Sequence, residues 1–395
     1  MTKEFIDFVN AHKDEDTARL LLSAARYPSI DMPVAVQQIE GLRTAHDKWP
    51  SLLACPDYLY PPRLNREQSS SEAAARYKAS LLPAPLTVAD LTGGMGIDTL
   101  AFARVAQHVD YVERDPQLCA LMEHNLRALG IRNVTVHCDD SLQWLQSHLS
   151  SFTFHLIYLD PARRNAAGRK VAGFEDCTPN ILDHAALLRA RCQRLMVKAS
   201  PMIGIDLACR QLGDVGEVHV VGVKGECKEV LFLCGSPAGE PQITCVNLNT
   251  LITQNTPRTP FSFSRSEEAA AEGRYCRQVG RYLYEPDATL MKGGPFKLLA
   301  QRYGLELLGR NTHLYSADRF VGDFPGRIFE VLRELKLSRK EVLAAIPGGR
   351  AHVVTRNYPL EAAVLQKQLG LKEGGDVFIV ATSVGDRKCG FLCKM

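Results

Sequence analysis

Residues 88–98 read VADLTGGMGID, an apolar segment that runs into a glycine-rich turn with an aspartate on either side of the glycines. In three later segments an apolar run again ends at acidic residues. They are VDYVERDP at 109–116, VTVHCDDSL at 134–142 and LIYLDPARR at 156–164. Because these segments lie about one βα unit apart, they predict parallel strands whose following loops meet at one edge of a sheet.

Strands and helices alternate in the sequence from residue 86 to residue 235. The predicted strands are Leu86–Leu91, Val109–Glu113, Val134–Cys138, Phe154–Leu159, Leu195–Ala199, Glu217–Val223 and Val230–Cys234. The predicted helices are 96–107, 116–129, 140–149, 179–193 and 204–212. Since the last two strands are too close for a helical crossover, we expect an antiparallel hairpin to close the sheet.

The regions on either side of this alternation differ from it. Residues 1–66 carry apolar residues at helical spacing, and QSSSEAAARYKASLL at 68–82 predicts a serine-capped helix before the first strand. Residues 236–260 are rich in proline and predict a linker. The order of elements from residue 323 is βαβαββ, a small α+β module close to the ferredoxin-like pattern.

Composition limits the class of protein. The 395 residues are 46% hydrophobic and 23% charged, as in a globular chain of two or three domains. No apolar run reaches membrane-spanning length, and the N-terminal residues lack the pattern of a signal peptide, so we expect a cytoplasmic protein. The twelve cysteines form no CxxC pair, and we expect no metal site.

Charge is distributed unevenly along the chain. Residues 251–395 hold 22 lysines and arginines against 15 acidic residues, a balance of +7, whereas residues 1–250 have a balance of −4. A basic half joined to a mildly acidic half suits a polyanionic partner, because basic side chains release counterions from phosphates. An ordinary solvated surface is the alternative explanation for so modest an excess.

The strand ends carry groups suited to a cofactor. The glycines let the chain turn sharply, but Asp98 stands near the place of the third glycine of a dinucleotide motif, which favours a cofactor without phosphates. Glu113, after the second strand, can bind both hydroxyls of a ribose. Asp140, or Asp139 beside it, can accept from an adenine amino group, and helix capping is the alternative role of such acids.

As a set, these segments resemble the class I S-adenosylmethionine-dependent methyltransferases over about residues 70–235. The resemblance implies an α/β, Rossmann-like sheet of seven strands, with S-adenosylmethionine as cofactor. The glycine turn would hold its methionine part, the acid after the second strand its ribose, and the acid after the third strand its adenine. The residues assigned to the cofactor are Asp90, Thr92, Gly94, Gly96, Asp98, Glu113 and Asp140.

The fourth strand ends in Asp160-Pro161-Ala162-Arg163-Arg164, which resembles the (D/N)PP(Y/F/W) signature of amino-methylating members. The resemblance makes Asp160 and the Pro161 backbone the catalytic groups that orient the target NH₂. Ala162 replaces the second proline, and Arg163 stands where the aromatic residue would be. We expect Arg163, Arg164 and Lys198 to contact substrate, since arginine can stack on a base or grip a phosphate.

Other roles are open for residues near this strand end. Arg163 and Arg164 could instead pair with Glu175 or Asp176, and Lys198 could simply precede the next helix. Carbon methylation would require a cysteine nucleophile, and Cys177 is the cysteine best placed for that role.

The C-terminal half carries a second resemblance. Residues 282–308 and 314–331 are similar to the THUMP-like segment that follows methyltransferase domains in bacterial proteins, and THUMP domains are associated with RNA-modifying enzymes. Residues 261–284 also interleave arginines with aromatic residues, a mixture that can grip phosphates and stack bases. A helix with its aromatics facing inward explains the same spacing. The residues concerned are Arg265, Arg274, Arg277, Arg281, Phe261, Phe263, Tyr275, Tyr282 and Tyr284.

Together these features predict an RNA methyltransferase that acts on a base nitrogen of tRNA or rRNA. A methyltransferase for proteins or small molecules, and a non-catalytic RNA-binding protein with a relic pocket, are the alternatives. The predicted parts are a helical region 1–66, a methyltransferase domain 67–235, a linker 236–260, a THUMP-like segment 261–322 and a ferredoxin-like domain 323–395.

Overall fold

The computed structural model describes residues 2–83, 86–147, 153–162, 173–175, 177–235, 239–248 and 259–395. The chain forms two compact units. The first unit is Met1–Glu217 with Val230–Gly239, and the second unit is Val218–Glu229 with Glu240–Met395. Within the part of the chain that the structure describes, no helix is both long enough and apolar enough to span a bilayer.

The first unit begins with helices, as the sequence predicted. They are α1 Lys3–Ala11, α2 Thr17–Leu22, α3 Met32–Lys48, α4 Arg63–Gln68 and α5 Glu72–Ser80, with 3₁₀ turns at Ala24–Arg26 and Pro50–Ala54. The apolar faces of α1, α2 and α3 pack together around Phe8, Leu20 and Ile39. The predicted serine cap of α5 is also confirmed, because the Ser71 side chain accepts a hydrogen bond from the Ala74 N–H.

A twisted α/β sheet follows. Its strands are β1 Thr87–Asp90, β2 His108–Glu113, β3 Val134–Cys138, β4 Phe154–Leu159, β5 Cys192–Ala199, β6 Val215–Val223 and β7 Glu226–Cys234. The helices between them are α6 Ile97–Phe102, α7 Pro116–Ala128, α8 Ser141–Ser147, α9 Ala185–Ala190 and α10 Ile205–Leu212. These strands lie in the order β3-β2-β1-β4-β5-β7-β6. β1 to β5 are parallel and β7 is antiparallel to β5, so the predicted fold class and closing hairpin are confirmed.

Two helices of the sheet region are shorter than predicted. After Phe102 the chain continues in tighter turns, in which Arg104 and Val105 donate to carbonyls only three residues back. The helix predicted from residue 179 begins at Ala185, because the Asn180 side chain accepts from the N–H groups of Leu182 and Asp183 and holds a turn there.

The strand order also continues beyond seven strands. β8 Gln242–Asn247 and β9 Phe261–Phe263 follow β6 in the order, which gives nine strands. β8 lies inside the range predicted as a linker. Its Ile243 and Cys245 alternate with polar residues and are buried, so this stretch has the period of a strand despite the prolines around it.

The second unit contains a mixed seven-stranded sheet. Its elements are α11 Arg265–Ala270, β10 Tyr282–Pro286, α12 Ala288–Gly293, α13 Phe296–Tyr303, β11 Glu306–Leu307, β12 Tyr315–Ala317, β13 Gly326–Leu335, α14 Arg339–Ala345, β14 His352–Thr355, α15 Ala362–Leu369, β15 Phe378–Val384 and β16 Arg387–Lys394. The strands lie in the order β11-β12-β10-β13-β16-β15-β14. From β13 onwards the elements follow the predicted βαβαββ order.

The two faces of this sheet have separate cores. Leu283, Phe329 and Val380 belong to one buried cluster, and Ile379 and Leu392 to the other. The helical stretch between β10 and β11 consists of two helices, α12 and α13. They are separated because Gly294 adopts a left-handed conformation with φ 83° and Pro295 follows it.

Candidate active site

The glycine turn between β1 and α6 uses its three glycines differently. A Cβ on Gly93 would lie 2.3 Å from the ring of Tyr111, and one on Gly96 would lie 2.6 Å from the Met122 sulfur. A Cβ on Gly94 would meet only the Thr92 carbonyl oxygen, at 3.8 Å. Gly93 and Gly96 therefore make room for packed side chains, and Gly94 is the glycine with an open side.

Asp90 ends β1 and is buried. Its carboxylate accepts hydrogen bonds from the Thr92 N–H at 3.1 Å and from the Thr99 hydroxyl at 2.6 Å. Burial raises the pKa of Asp90 to about 7, since the hydrogen bonds only partly offset desolvation and the acids Asp98 and Asp160 add to the rise.

Asp98, in the first turn of α6, is the centre of a buried polar network. Its carboxylate accepts from the Ser70 hydroxyl at 2.8 Å and the Tyr158 hydroxyl at 2.9 Å, and lies 3.1 Å from the Lys78 ammonium. Lys78 has no exposed surface and also donates to Ser70 at 3.1 Å. Burial acts to raise the pKa of Asp98, but Lys78, Lys198 and these hydroxyls outweigh it and lower the pKa below its usual range.

Glu113, at the end of β2, hydrogen-bonds to the backbone of the glycine turn. Its two oxygens accept from the backbone N–H groups of Gly94 at 2.9 Å and Asp115 at 3.0 Å. The Tyr111 hydroxyl donates to the Gly94 carbonyl at 2.7 Å. A carboxylate offers about four acceptor positions, so Glu113 retains capacity for two further donors, as the two hydroxyls of a ribose require.

Asp139 and Asp140 lie at the end of β3 and are exposed. One Asp140 oxygen accepts from the N–H groups of Leu142 and Gln143, both at 3.1 Å, and an Asp139 oxygen accepts from the Asp140 N–H at 2.7 Å. Asp140 therefore performs the capping role that the sequence left open for it. Its position beside the strand end is the one expected for an adenine contact.

Asp160, directly after β4, is held through both its backbone and its side chain. Its backbone N–H donates to the Thr92 hydroxyl at 2.7 Å, and its carboxylate forms an ion pair with Lys198 at the end of β5. Lys198 is almost fully buried. The expected substrate residue Lys198 thus contacts Asp160, and Thr92 links the glycine turn to the segment that contains Pro161.

Two further predictions concern the loop after Asp160. Arg163 and Arg164 lie outside the described residues, as does Asp176, one of the two acids suggested as their partners. Cys177 is described and buried, and its thiol donates to the Gly173 carbonyl at 3.3 Å. Ala162 and Thr178 exchange two backbone hydrogen bonds, which fixes where the loop returns to the strand end.

The arginine–aromatic segment at 261–284 splits between the interior and the surface of the second unit. Phe261, Phe263 and Tyr284 are buried, whereas Tyr275 is exposed. The Arg265 guanidinium donates to the Gly293 carbonyl at 2.7 Å. Three of the five aromatics therefore belong to the core, but they lie on strands β9 and β10 and not on the inward-facing helix of the alternative explanation.

The structure brings the predicted site residues of the first unit together and adds neighbours that the sequence did not reveal. Asp90, Thr92 and Asp160 form one connected group, and Gly94 and Glu113 form another. The missed residues are Ser70, Lys78, Thr99 and Tyr158. These residue types are common in helices and strands, so the sequence did not mark them as part of a site. Only Ser70 and Lys78 could have been suspected, because they lie close to the first strand.

The chemistry of this donor set suits S-adenosylmethionine, which carries hydroxyls, an amino group and a positive sulfonium. The carboxyl groups of Asp90, Glu113 and Asp160 can accept hydrogen bonds from such hydroxyls and from the amino group. The turn has an open side at Gly94, where a side chain would intrude. Among the described residues, no group of three or more His, Cys, Asp or Glu side chains could hold a metal.

Models of known protein families match three parts of the chain. A conserved hypothetical protein family matches residues 86–172, a ferredoxin-like domain matches 282–325, and a THUMP-like domain matches 326–395. These matches exchange the two C-terminal labels that we assigned from the sequence.

Whole proteins similar to this chain have related descriptions. An uncharacterised S-adenosylmethionine-dependent methyltransferase of Mycobacterium tuberculosis is 25% identical over 81% of this chain and 83% of its own length. Ribosomal RNA small subunit methyltransferase J of Cronobacter sakazakii is 31% identical over 42% of this chain and 68% of its own length. A crystal structure from Porphyromonas gingivalis W83, assigned as a methyltransferase, is 28% identical, covers 99% of this chain and 97% of its own, and has a TM-score of 0.85.

Proposed function

Because this chain belongs to the S-adenosylmethionine-dependent methyltransferases, we propose that its acceptor is structured RNA, either tRNA or rRNA, and that it methylates a base nitrogen. The observation that carries this proposal is the anchored Asp160, followed by Pro161, at the end of β4. The similarity to an enzyme named for ribosomal RNA supports the choice of acceptor. The activity is assigned to the cytoplasm.

The first unit holds the cofactor through groups at successive strand ends. S-adenosylmethionine, when bound, supplies an activated methyl group. Glu113 binds the ribose hydroxyls, and Asp140, or Asp139 beside it, accepts from the adenine amino group. The methionine part lies against the glycine turn. The residues assigned to this contact are Asp90, Thr92, Gly94, Gly96 and Asp98, and among the glycines Gly94 has the open side.

Asp160 and the Pro161 backbone carbonyl accept hydrogen bonds from the target NH₂ group. These contacts direct the nitrogen lone pair at the methyl group, and such positioning supplies much of the acceleration in transfer reactions. Lys198 acts through Asp160, since it fixes the carboxylate from below. Arg163 and Arg164 are assigned to the phosphate or base next to the target nucleotide.

The remainder of the RNA binds the basic C-terminal half of the chain, where residues 251–395 carry a balance of +7.

An acceptor that is a protein or a small molecule is the second candidate, favoured by the Ala162 and Arg163 departures from the amino-methylating signature. Among the described residues the glycine turn and its acids are hydrogen-bonded and intact, which argues against a relic pocket.

The test measures methyl transfer from labelled S-adenosylmethionine to total RNA from cells that lack the gene. We expect label in RNA with the wild type and a loss of about a hundredfold or more with Asp160→Ala. Asp160→Asn retains an acceptor oxygen and should lose less. Asp14→Ala, at an exposed turn in the helical region, is the matched control and should equal the wild type.

Cofactor binding and thermal unfolding, measured on each variant, separate a catalytic defect from misfolding. Nucleoside digestion of the labelled RNA then identifies the modified atom. If the wild type binds S-adenosylmethionine but leaves RNA unlabelled, the RNA assignment is wrong. If Asp160→Ala remains as active as Asp14→Ala, the role of Asp160 is wrong.

A further inference from the structure

The second unit contains a buried carboxylate that holds two arginines. Glu285 lies on β10 with 2% of its side chain exposed. Arg327, its cross-strand neighbour on β13, and Arg356, directly after β14, both contact it. Three strands that are distant in sequence therefore contribute to one ionic cluster.

The geometry of this cluster is asymmetric. The Arg327 Nε donates to Glu285 Oε2 at 2.6 Å, and a second nitrogen of the same guanidinium contacts that oxygen. An Arg356 terminal nitrogen lies 2.6 Å from Glu285 Oε1, and its other terminal nitrogen donates to the Thr355 carbonyl at 3.3 Å. The arginine side chains are 46% and 41% exposed, so both reach solvent, and the cluster carries a net charge of +1.

This arrangement differs from the ordinary ion pairs of the same sheet. Glu330 pairs with Arg281, and Glu334 pairs with Arg387, but these carboxylates are 41% and 46% exposed. Glu285 is desolvated and needs both arginines to balance the loss of water. Arg327 is held by hydrogen bonding to Glu285 and lies over the Phe329 ring, 5.4 Å from its centroid, whereas Arg356 is held by the ion pair and by its bond to the Thr355 carbonyl.

The cluster is not arranged for maximal stability. Within the described residues, the buried Nε of Arg356 has no hydrogen-bond partner. An unpaired buried donor is unfavourable, and well-packed apolar residues are often as stable as a buried ionic cluster. Two partly exposed arginines that contact one buried carboxylate are instead suited to an anion that accepts several hydrogen bonds.

We propose that Arg327 and Arg356, held by Glu285, form a binding site for a backbone phosphate of the RNA acceptor. Each guanidinium offers parallel N–H donors to the non-bridging oxygens of one phosphodiester or two adjacent ones. The site makes no base contact, so it positions the RNA without selecting its sequence. This inference rests on the proposed function. An RNA acceptor supplies the phosphodiester groups that the basic C-terminal half would bind.

The test measures binding of a defined stem-loop RNA to the full-length protein as a function of salt. We expect Arg327→Gln and Arg356→Gln each to weaken binding by about tenfold and to reduce the salt slope by about one. Arg387→Gln removes the same charge from an exposed pair and is the matched control, with an expected loss below about twofold. S-adenosylmethionine affinity, measured in parallel, should be unchanged in all three variants.

Arg356→Lys covers the case in which a glutamine variant fails to fold. It keeps the charge beside Glu285 but lacks the planar fork, so we expect RNA binding to weaken while the thermal midpoint is retained. If the wild type binds and methylates RNA and the Arg327 and Arg356 variants match Arg387→Gln, the phosphate site is wrong and the proposed function stands. If the wild type binds S-adenosylmethionine but no RNA, the proposed function fails and this site with it.

Discussion

Lys78 and Asp98 form a buried ion pair beside the glycine turn, and each depends on the other. Replacing Lys78 by methionine leaves the Asp98 carboxylate desolvated, with the Ser70 and Tyr158 hydroxyls as its hydrogen-bond donors and Lys198 as a more remote cation. Breaking a buried pair in this way costs about 3–5 kcal/mol. We therefore expect Lys78→Met to lower the free energy of unfolding by that order and to weaken S-adenosylmethionine binding, as measured by denaturation and calorimetry.

Arg76 provides the control on the same helix. It pairs with Glu72 at the surface with 52% of its side chain exposed, and such pairs contribute about 0.3–0.5 kcal/mol. Arg76→Met should change neither quantity noticeably. Equal stabilities for Lys78→Met and Arg76→Met would show that Asp98 does not need its buried counter-ion.

Asp90 predicts a dependence of stability on pH. Its pKa is about 7 in the folded protein, against about 3.9 in an unfolded chain. The folded state therefore binds more protons between pH 4 and 7, and the contribution of Asp90 to stability is lost as the pH rises through that window. The size of the loss is roughly 4 kcal/mol.

The measurement compares urea unfolding of wild type and Asp90→Asn at several pH values. The stability of the wild type relative to this variant should fall from pH 4 to pH 7 and then level off. Asp14→Asn controls for the loss of one carboxylate at an exposed turn. A difference that stays constant with pH would contradict the raised pKa.

The residues around the predicted acids could not be foreseen from the sequence. The positions of Asp90, Glu113 and Asp160 at strand ends follow from the alternation of apolar runs and turns. Lys78 lies in a short helix that consists mostly of alanine and charged residues, a composition typical of an exposed helix. Its burial depends on where α5 packs against α6, and this tertiary contact leaves no periodic signal.

At the scale of elements, substitutions at two glycines of the turn should have different effects: one mainly on stability and the other mainly on cofactor affinity. Gly93→Ala places a methyl group into the buried Tyr111 ring, which costs about 3 kcal/mol or more unless β2 shifts. Gly94→Ala has space but a φ of 53°, so it costs about 1–2 kcal/mol. Gly94→Ala should nevertheless lose S-adenosylmethionine affinity, because its methyl group occupies the open side of the turn.

Denaturation and cofactor titration of both variants test this separation. Gly130→Ala, in a turn where a Cβ meets nothing within 4 Å at a φ of 68°, controls for backbone strain alone. It should match Gly94→Ala in stability and the wild type in cofactor affinity. If Gly94→Ala binds cofactor normally, the open side of the turn is not the cofactor side.

Element types were easier to predict than element ends. Parallel β1 to β5 and the closing hairpin follow from connection lengths, because a crossover needs a helix and a short turn excludes one. The ends of α6 and α9 depend on local turns and side-chain caps that compete with the helix. β8 was missed because prolines on either side outweighed a six-residue strand pattern.

At the scale of the whole molecule, the uneven charge predicts that RNA and cofactor binding respond differently to salt. RNA affinity should fall at least about tenfold between 50 and 200 mM salt, since phosphate contacts release counterions. S-adenosylmethionine binds buried and hydrogen-bonding groups, so its affinity should change little. Titrations across this range check both, and salt-independent binding of RNA would favour a protein or small-molecule acceptor.

The buried Lys78 has a consequence for how this enzyme can be divided or recombined. A segment cut at residue 86, where the family match and the first strand begin, retains the glycine turn but not Lys78 or Ser70. Transplanted into another protein, it would carry the buried Asp98 without the lysine that contacts it directly. The segment that must be transferred to retain the buried ion pair therefore starts in the helical region, at least as early as Ser70. It is longer than the segment that the family model matches.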